Sequence, residues 1–277
     1  MPTILRPMTT GELLDQTFRL YRTNFPLFVG IAALPNLGVL AVGVITDGLK
    51  QTGAFTPTRG TSAIIAAVVG AIVMYVVYLA AIAASQAATV AAVSAVHLDK
   101  PITIGESYSR IKKQLPRLMG VMIGTWIGIG LGFLLLIIPG IILSLKWALT
   151  IPVAVVENAS LSVATSRSSD LTRGHRGRVF VIAFLCLVLI YIVTIIINFP
   201  VFAVAGATAV RHGTMPLWLE GVARVCAFIS GSLIGPVMTI AFSLMYFDER
   251  VRKEGLDLEV LMGDFGSDAA SAASVSS

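Results

Sequence analysis

Few polar residues in this chain have the type and spacing for chemistry. His175-Arg176-Gly177 lies in SDLTRGHRGRVF, residues 169–180, where a His among arginines could hold phosphate in a catalytic centre or only mark where the chain enters a membrane. Lys146 and Glu157 interrupt an apolar stretch 11 positions apart. On one ideal helix they would share a face yet stand about 16 Å apart, so they cannot pair with each other. A charge at that depth anchors by snorkelling, pairs with a neighbouring helix or lines a transport path, and all three roles stay open. Gln86, Asn36 and Asn198 read as amides that hydrogen-bond between helices. His97 and His212 stand singly, and no His or Cys pair has metal-ligand spacing. Cys186 and Cys226 fall within apolar runs and read as small hydrophobes, so neither disulfide, metal nor cofactor is expected. The serines lack a nucleophile-elbow context, so no catalytic set can be nominated.

The elements that must position these residues are membrane helices. Over 277 residues the chain is 56% hydrophobic and 13% charged, with mean hydropathy +0.87. That excludes an ordinary soluble fold, because several apolar runs are long enough to cross a hydrocarbon core of about 30 Å. The expected fold is all-α and polytopic, one domain over residues 1–262, with spans near 26–46, 63–84, 117–138, 141–157, 179–206 and 221–247. A Ser/Ala-rich tail, 263–277, reads as disordered. The second run stays apolar to Val96, so it should tilt, break near Ser85-Gln86 or run past the membrane surface. Pro139-Gly140 reads as the tip between the third and fourth spans. No cleavable signal is visible ahead of the first run.

Charge gives the orientation. Fifteen of the 20 Lys and Arg residues fall in the N-terminal segment, the loops near 97–117 and 158–178, and the C-terminal segment. Lys50, Arg59 and Arg211 fall on the other side. This asymmetry over short loops places both termini in the cytoplasm. The pI near 9.4 would suggest nucleic acid in a soluble chain, but here the bases sit at span ends, so no nucleic-acid partner is expected.

A repeat organises the spans. PMTTGE at 7–12 and PITIGE at 101–106 each carry a Thr-x-x-Glu capping box, Thr9 with Glu12 and Thr103 with Glu106. Each opens a short helix with an apolar stripe: Leu14, Phe18, Tyr21 and Phe25 in the first, Ile104, Tyr108, Ile111 and Leu115 in the second. Such a helix lies in the headgroup layer or packs on the spans from the aqueous side. A degenerate third copy begins at Ser160. The architecture is then three hairpins of spans, each preceded by a short amphipathic helix. Arg19, Arg22, Lys112, Lys113, Arg173, Arg176, Arg178, Arg250, Arg252 and Lys253 are the candidate headgroup or anchoring residues. Asp15 with Arg19 and Arg167 with Asp170 have the spacing of helical ion pairs, and the same charges can instead lock the short helices to the span ends.

Four stretches in order, GELLDQTFRLYRTNF (11–25), IIPGIILSLKWALTIPVAVVE (137–157), SRSSDLTRG (166–174) and YFDERVRKEGLDLEVL (246–261), resemble the membrane domain found in some bacterial glycerophosphoryl diester phosphodiesterases and also found alone. The resemblance implies a bacterial cytoplasmic membrane and expects a large aromatic where Ser169 stands, so the third short helix should pack less tightly. The catalytic barrel of that enzyme group begins an active-site segment with His-Arg-Gly, followed by a Glu-Asn-Thr metal motif. Here an apolar span follows instead, and fewer than the roughly 200 residues a barrel needs come after it. The tripeptide therefore reads as membrane entry: Gly174 ends the third short helix, and Arg173, Arg176 and Arg178 anchor the fifth span. The expected function is that of a non-enzymatic scaffold or accessory protein contacting phospholipid headgroups, or a membrane or cytoplasmic protein partner. The alternative is a transporter or channel for a lipid-derived or small solute.

Overall fold

The computed structural model describes residues 8–51, 61–98, 100–212 and 216–254. The expected tail at 263–277, and the Arg59 side of the charge asymmetry, lie outside the described residues. Among the described residues there are ten helices and no strand: α1 (Thr10–Thr23), α2 (Phe25–Gln51), α3 (Thr61–His97), α4 (Ile104–Lys112), α5 (Leu115–Leu135), α6 (Ile137–Lys146), α7 (Thr150–Val156), α8 (Leu161–Thr172), α9 (Arg176–His212) and α10 (Leu217–Glu254). Six segments are long and apolar enough to span a membrane, in α2, α3, α5, α6 with α7, α9 and α10. The protein is an all-α integral membrane protein.

Both capping boxes form. The Glu12 and Glu106 N–H groups each donate to the threonine hydroxyl at 3.3 Å, and the glutamate carboxylates accept the Thr9 and Thr103 N–H groups at 2.7 and 2.9 Å. Ser160 starts α8 without a side-chain cap, as its missing Glu partner implies. The short helices pack on the spans: α1 on α10, α4 on α3 and α2, α8 on α7 and α5.

Four expectations are corrected. The buried face of α1 is Leu13, Thr17 and Leu20, while Phe18 and Phe25 are exposed. A polar residue can sit in that core because the Thr17 hydroxyl donates to the Leu13 carbonyl at 2.8 Å. Secondly, α3 does not break at Ser85-Gln86. Its last three turns are apolar because protein covers them: Ala87, Ala88, Val90, Ala92 and Val93 are buried, and their small size lets neighbouring helices close in. Thirdly, the hairpin tip is at Leu136, whose extended backbone (φ −163°, ψ 151°) separates α5 from α6. Pro139 falls in the first turn of α6, where its missing N–H has no helical acceptor to lose. Gly140 and Gly132 allow the two helices to touch, since a Cβ on Gly132 would lie 3.2 Å from the Gly140 Cα. Fourthly, the fourth span is two helices, with Trp147–Leu149 non-helical between α6 and α7.

Fully buried apolar side chains concentrate at one end of the bundle. They include Phe28 and Ile31 of α2, Leu118 of α5, Ile182 of α9, and Ile240 and Leu244 of α10. The opposite halves of the same helices expose Ile45, Ile72, Leu134, Ile196 and Val225. Apolar surface is stable in lipid, so only the end that carries polar groups has to be closed by protein.

Candidate functional site

The polar end is assembled on the last turns of α10, where YFDERVRKE (246–254) continues the helix beyond its apolar run. The Asp248 and Glu249 carboxylates are fully buried, and Arg178 from the first turn of α9 donates to both, at 3.2 Å to Glu249 and closer to Asp248. Asp248 also accepts from Arg252 one turn on, at 2.9 Å, and from the Met8 N–H ahead of α1, at 2.6 Å. The Met8 carbonyl receives Arg178 at 2.8 Å and Arg252 at 2.5 Å. His175 Nδ1 lies 2.8 Å from Glu249 Oε2. Two buried carboxylates thus have two guanidinium partners and further donors, the condition under which buried charge is tolerated.

A second cluster lies beside it. Glu157, at the C-terminal cap of α7, accepts the Tyr246 hydroxyl at 2.9 Å and Arg167 Nε at 3.3 Å. Arg167 also pairs with Glu254. Arg250 donates to Glu254 at 2.9 Å and to the Tyr246 hydroxyl at 3.2 Å, with its guanidinium carbon 5.6 Å from that ring's centre. Lys253 donates to the Asp170 and Arg173 carbonyls at 2.5 and 2.7 Å, meeting acceptors that the end of α8 leaves open.

Each short helix also delivers a hydroxyl to a weak point in a span. Pro35 has no N–H, which strips the Ile31 carbonyl of its helical donor, and Tyr108 of α4 donates to that carbonyl at 2.6 Å. Tyr21 of α1 donates at 2.6 Å to the Leu233 carbonyl, beside the Pro236 interruption of α10. Ser168 of α8 bridges the α6–α7 break, donating to the Lys146 carbonyl at 2.8 Å and accepting from the Leu149 N–H at 3.1 Å. The smaller Ser169 does not loosen α8, whose Ala164, Ser168, Leu171 and Thr172 are all buried.

These contacts redistribute the sequence candidates. Arg178, Arg250, Arg252 and Lys253, expected at headgroups, are bound to protein groups instead. Arg19 donates to Gln16 and not to Asp15, and Arg167 pairs with Glu157 and Glu254 while Asp170 pairs with Arg173 at 3.3 Å. Helical spacing permitted the expected pairs, but partners from other helices were better placed. Glu157 takes the interhelical ion-pair role. Lys146 is half-buried, with its ammonium unpartnered among the described residues. Arg176 is half-buried, and its Nε has no hydrogen-bond partner among them. Asn198 donates to the Thr194 carbonyl at 2.9 Å and reaches Ser230 of α10 at 3.4 Å, and Asn36 reaches Ser232 at 3.3 Å. Gln86 faces a cavity. Arg19, Arg22, Lys112 and Lys113 are exposed. Tyr21, Tyr108 and Ser168 were missed because they carry no charge; the signal available was a proline four residues after a carbonyl.

The sequence model of the family described as the membrane domain of glycerophosphoryl diester phosphodiesterase matches residues 112–264. The chain belongs to that family. The match takes in α5 through α10, with the whole polar hub except Met8, so three of the four resembling stretches lie inside it and the first, 11–25, lies outside. No curated protein and no solved structure matches the chain. In this membrane domain His175-Arg176-Gly177 sits where α8 gives way to α9: Gly174 adopts φ +88°, which suits a residue without a Cβ, and His175 is held by Glu249.

Proposed function

We propose that the protein is a non-enzymatic scaffold or accessory component of a bacterial cytoplasmic membrane, with both termini cytoplasmic, that holds anionic phospholipid headgroups along one rim of its cytoplasmic face. The observation that carries this reading is a division among the basic residues. Those on α9 and α10 are spent on buried carboxylates and backbone carbonyls. Those on α1 and α4, Arg19, Arg22, Arg110, Lys112 and Lys113, are exposed and make no ion pair among the described residues. Phe18 lies exposed beside Arg19 and Arg22 around a shallow surface depression, and an aromatic flanked by cations suits a membrane interface.

Binding of anionic lipid in nanodiscs tests it. Replacing Arg19, Arg22, Lys112 and Lys113 with Gln should reduce enrichment of phosphatidylglycerol over phosphatidylcholine around the protein, with the difference shrinking as salt rises. Equal enrichment for the variant and the parent would reject the rim. The transport alternative, framed on Lys146 and Glu157, has less support, since the two do not converge and Glu157 is held in the hub. Hydrolysis of a glycerophosphodiester by the pure protein would overturn the non-enzymatic reading.

A further inference from the structure

Away from the hub, α2, α3 and α10 diverge around two adjoining cavities of about 190 and 290 Å³, which share Asn36, Val39, Tyr78 and Gly231 in their walls. The inner cavity reaches Ser85, Gln86 and Thr239, and the outer one reaches Arg224. Arg224 and Thr239 are 15 residues apart on α10, so the groove runs about 22 Å along the helix. Its inner end is closed by the core around Phe28, Ile31 and Ile240. Its side is open, with Val39 and Tyr78 exposed 38% and 45%.

Two features set the chemistry of an occupant. The first is unmet hydrogen bonding at membrane depth: among the described residues the Ser85, Gln86 and Thr239 side chains have no hydrogen-bond partner within the protein. An amide in hydrocarbon is costly unless something pairs with it. The second is a cation at the outer end. The Arg224 guanidinium lies flat on α2 over Gly43, where a Cβ would meet its Nη1 at 2.3 Å, so that glycine makes room for the charge to line the groove. Neutral hydrogen-bonding groups inside, a guanidinium at the outer end and an apolar open side match a molecule with a polyhydroxyl head, a phosphate and acyl chains.

We propose that this groove binds one phospholipid with a hydroxylated headgroup from the leaflet opposite the hub. Its phosphate lies on Arg224, its head hydroxyls meet Asn36 and Gln86, and its chains lie along Tyr78 and Val39. This site is independent of the α1 and α4 rim, which lies at the other end of the bundle.

The full chain in nanodiscs of equimolar phosphatidylglycerol and phosphatidylcholine, released into mild detergent and weighed by native mass spectrometry, reads the occupancy. The parent should retain one phosphatidylglycerol, and Arg224→Gln should lose at least tenfold of that occupancy while Arg19→Gln with Arg22→Gln leaves it unchanged. Gln86→Leu removes a polar group from hydrocarbon, so it should keep or raise the melting temperature yet lower retention of phosphatidylglycerol relative to phosphatidic acid, which lacks the head hydroxyls. Gln86→Leu thereby keeps the test open if Arg224→Gln fails to fold. Unchanged retention in both variants, loss of the lipid on the rim substitution, or displacement of the lipid by millimolar inorganic phosphate would overturn the proposal.

Discussion

At the scale of single residues the protein depends on hydroxyls and carboxylates out of reach of water. Tyr108 is the clearest case. Its hydroxyl is the donor that Pro35 removes from Ile31, and burial pushes its pKa up to about 12; burial raises Tyr21 as well. A tyrosine whose folded pKa exceeds its unfolded value of about 10 contributes stability in full below pH 10, and that contribution is lost as pH rises toward 12. Thermal melts in detergent should therefore fall more steeply between pH 10 and 11.5 for the parent than for a Tyr21→Phe, Tyr108→Phe double variant. Parallel slopes would remove the argument. At neutral pH Tyr108→Phe should itself cost about 1–2 kcal/mol, the value of one hydrogen bond and a stranded carbonyl. Arg178 is a larger risk. Its side chain is 12% exposed between two fully buried carboxylates, so Arg178→Ala should destabilise by about 3–5 kcal/mol. Arg173, 74% exposed in its pair with Asp170, should change by under about 0.5 kcal/mol when made Ala. Denaturant melts of the two variants side by side decide whether depth, and not charge alone, sets the cost.

Among elements, the short helices are fasteners as much as surface features. α4 serves a span of the first hairpin, α8 the broken span of the second, and α1 the last span of the third, so α1 and α4 each secure a span outside the hairpin they precede, and α8 reaches back to the one before it. Ser168 has the only side chain among the described residues that bonds both sides of the α6–α7 break. Ser168→Ala should cost about 1–3 kcal/mol, because it leaves the Leu149 N–H and the Lys146 carbonyl without that partner, and backbone hydrogen exchange should quicken at 147–150 before anywhere else. Uniform exchange would mean that the break is held by packing alone. Gly128 faces Trp147, and a Cβ at that glycine would meet the indole ring at 2.3 Å. Gly128→Ala should thus shift Trp147 and its fluorescence.

For the whole molecule, closure at one end and exposure at the other predicts a topology. With the two native cysteines replaced, a single cysteine at Lys113 or Arg173 should be labelled from the hub side and one at Leu136 from the opposite side. Labelling of positions 113 and 136 from one side would remove the six-span arrangement as proposed. The family match runs through α5 to α10, which is the part of the chain that contributes most of the hub.

Composition and patterning by themselves determined that the chain is a six-span helical membrane protein, because the length of an apolar run and the placement of its flanking charges are local properties. The two capping boxes were legible for the same reason: Thr9 with Glu12 and Thr103 with Glu106 meet within one turn of helix. What only the tertiary structure decided was which partner each charge takes. Asp15 with Arg19, and Arg167 with Asp170, had acceptable helical spacing, yet Arg167 reaches Glu157 and Glu254, 10 and 87 positions away. Once backbones are packed, a buried carboxylate selects the donors that geometry brings to it, and separation along the chain has no bearing on that choice. The break at Trp147–Leu149, the tip at Leu136 and the groove lined by Gln86 and Arg224 belong to the same class. Each depends on how closely neighbouring helices approach, which no single helix's pattern contains.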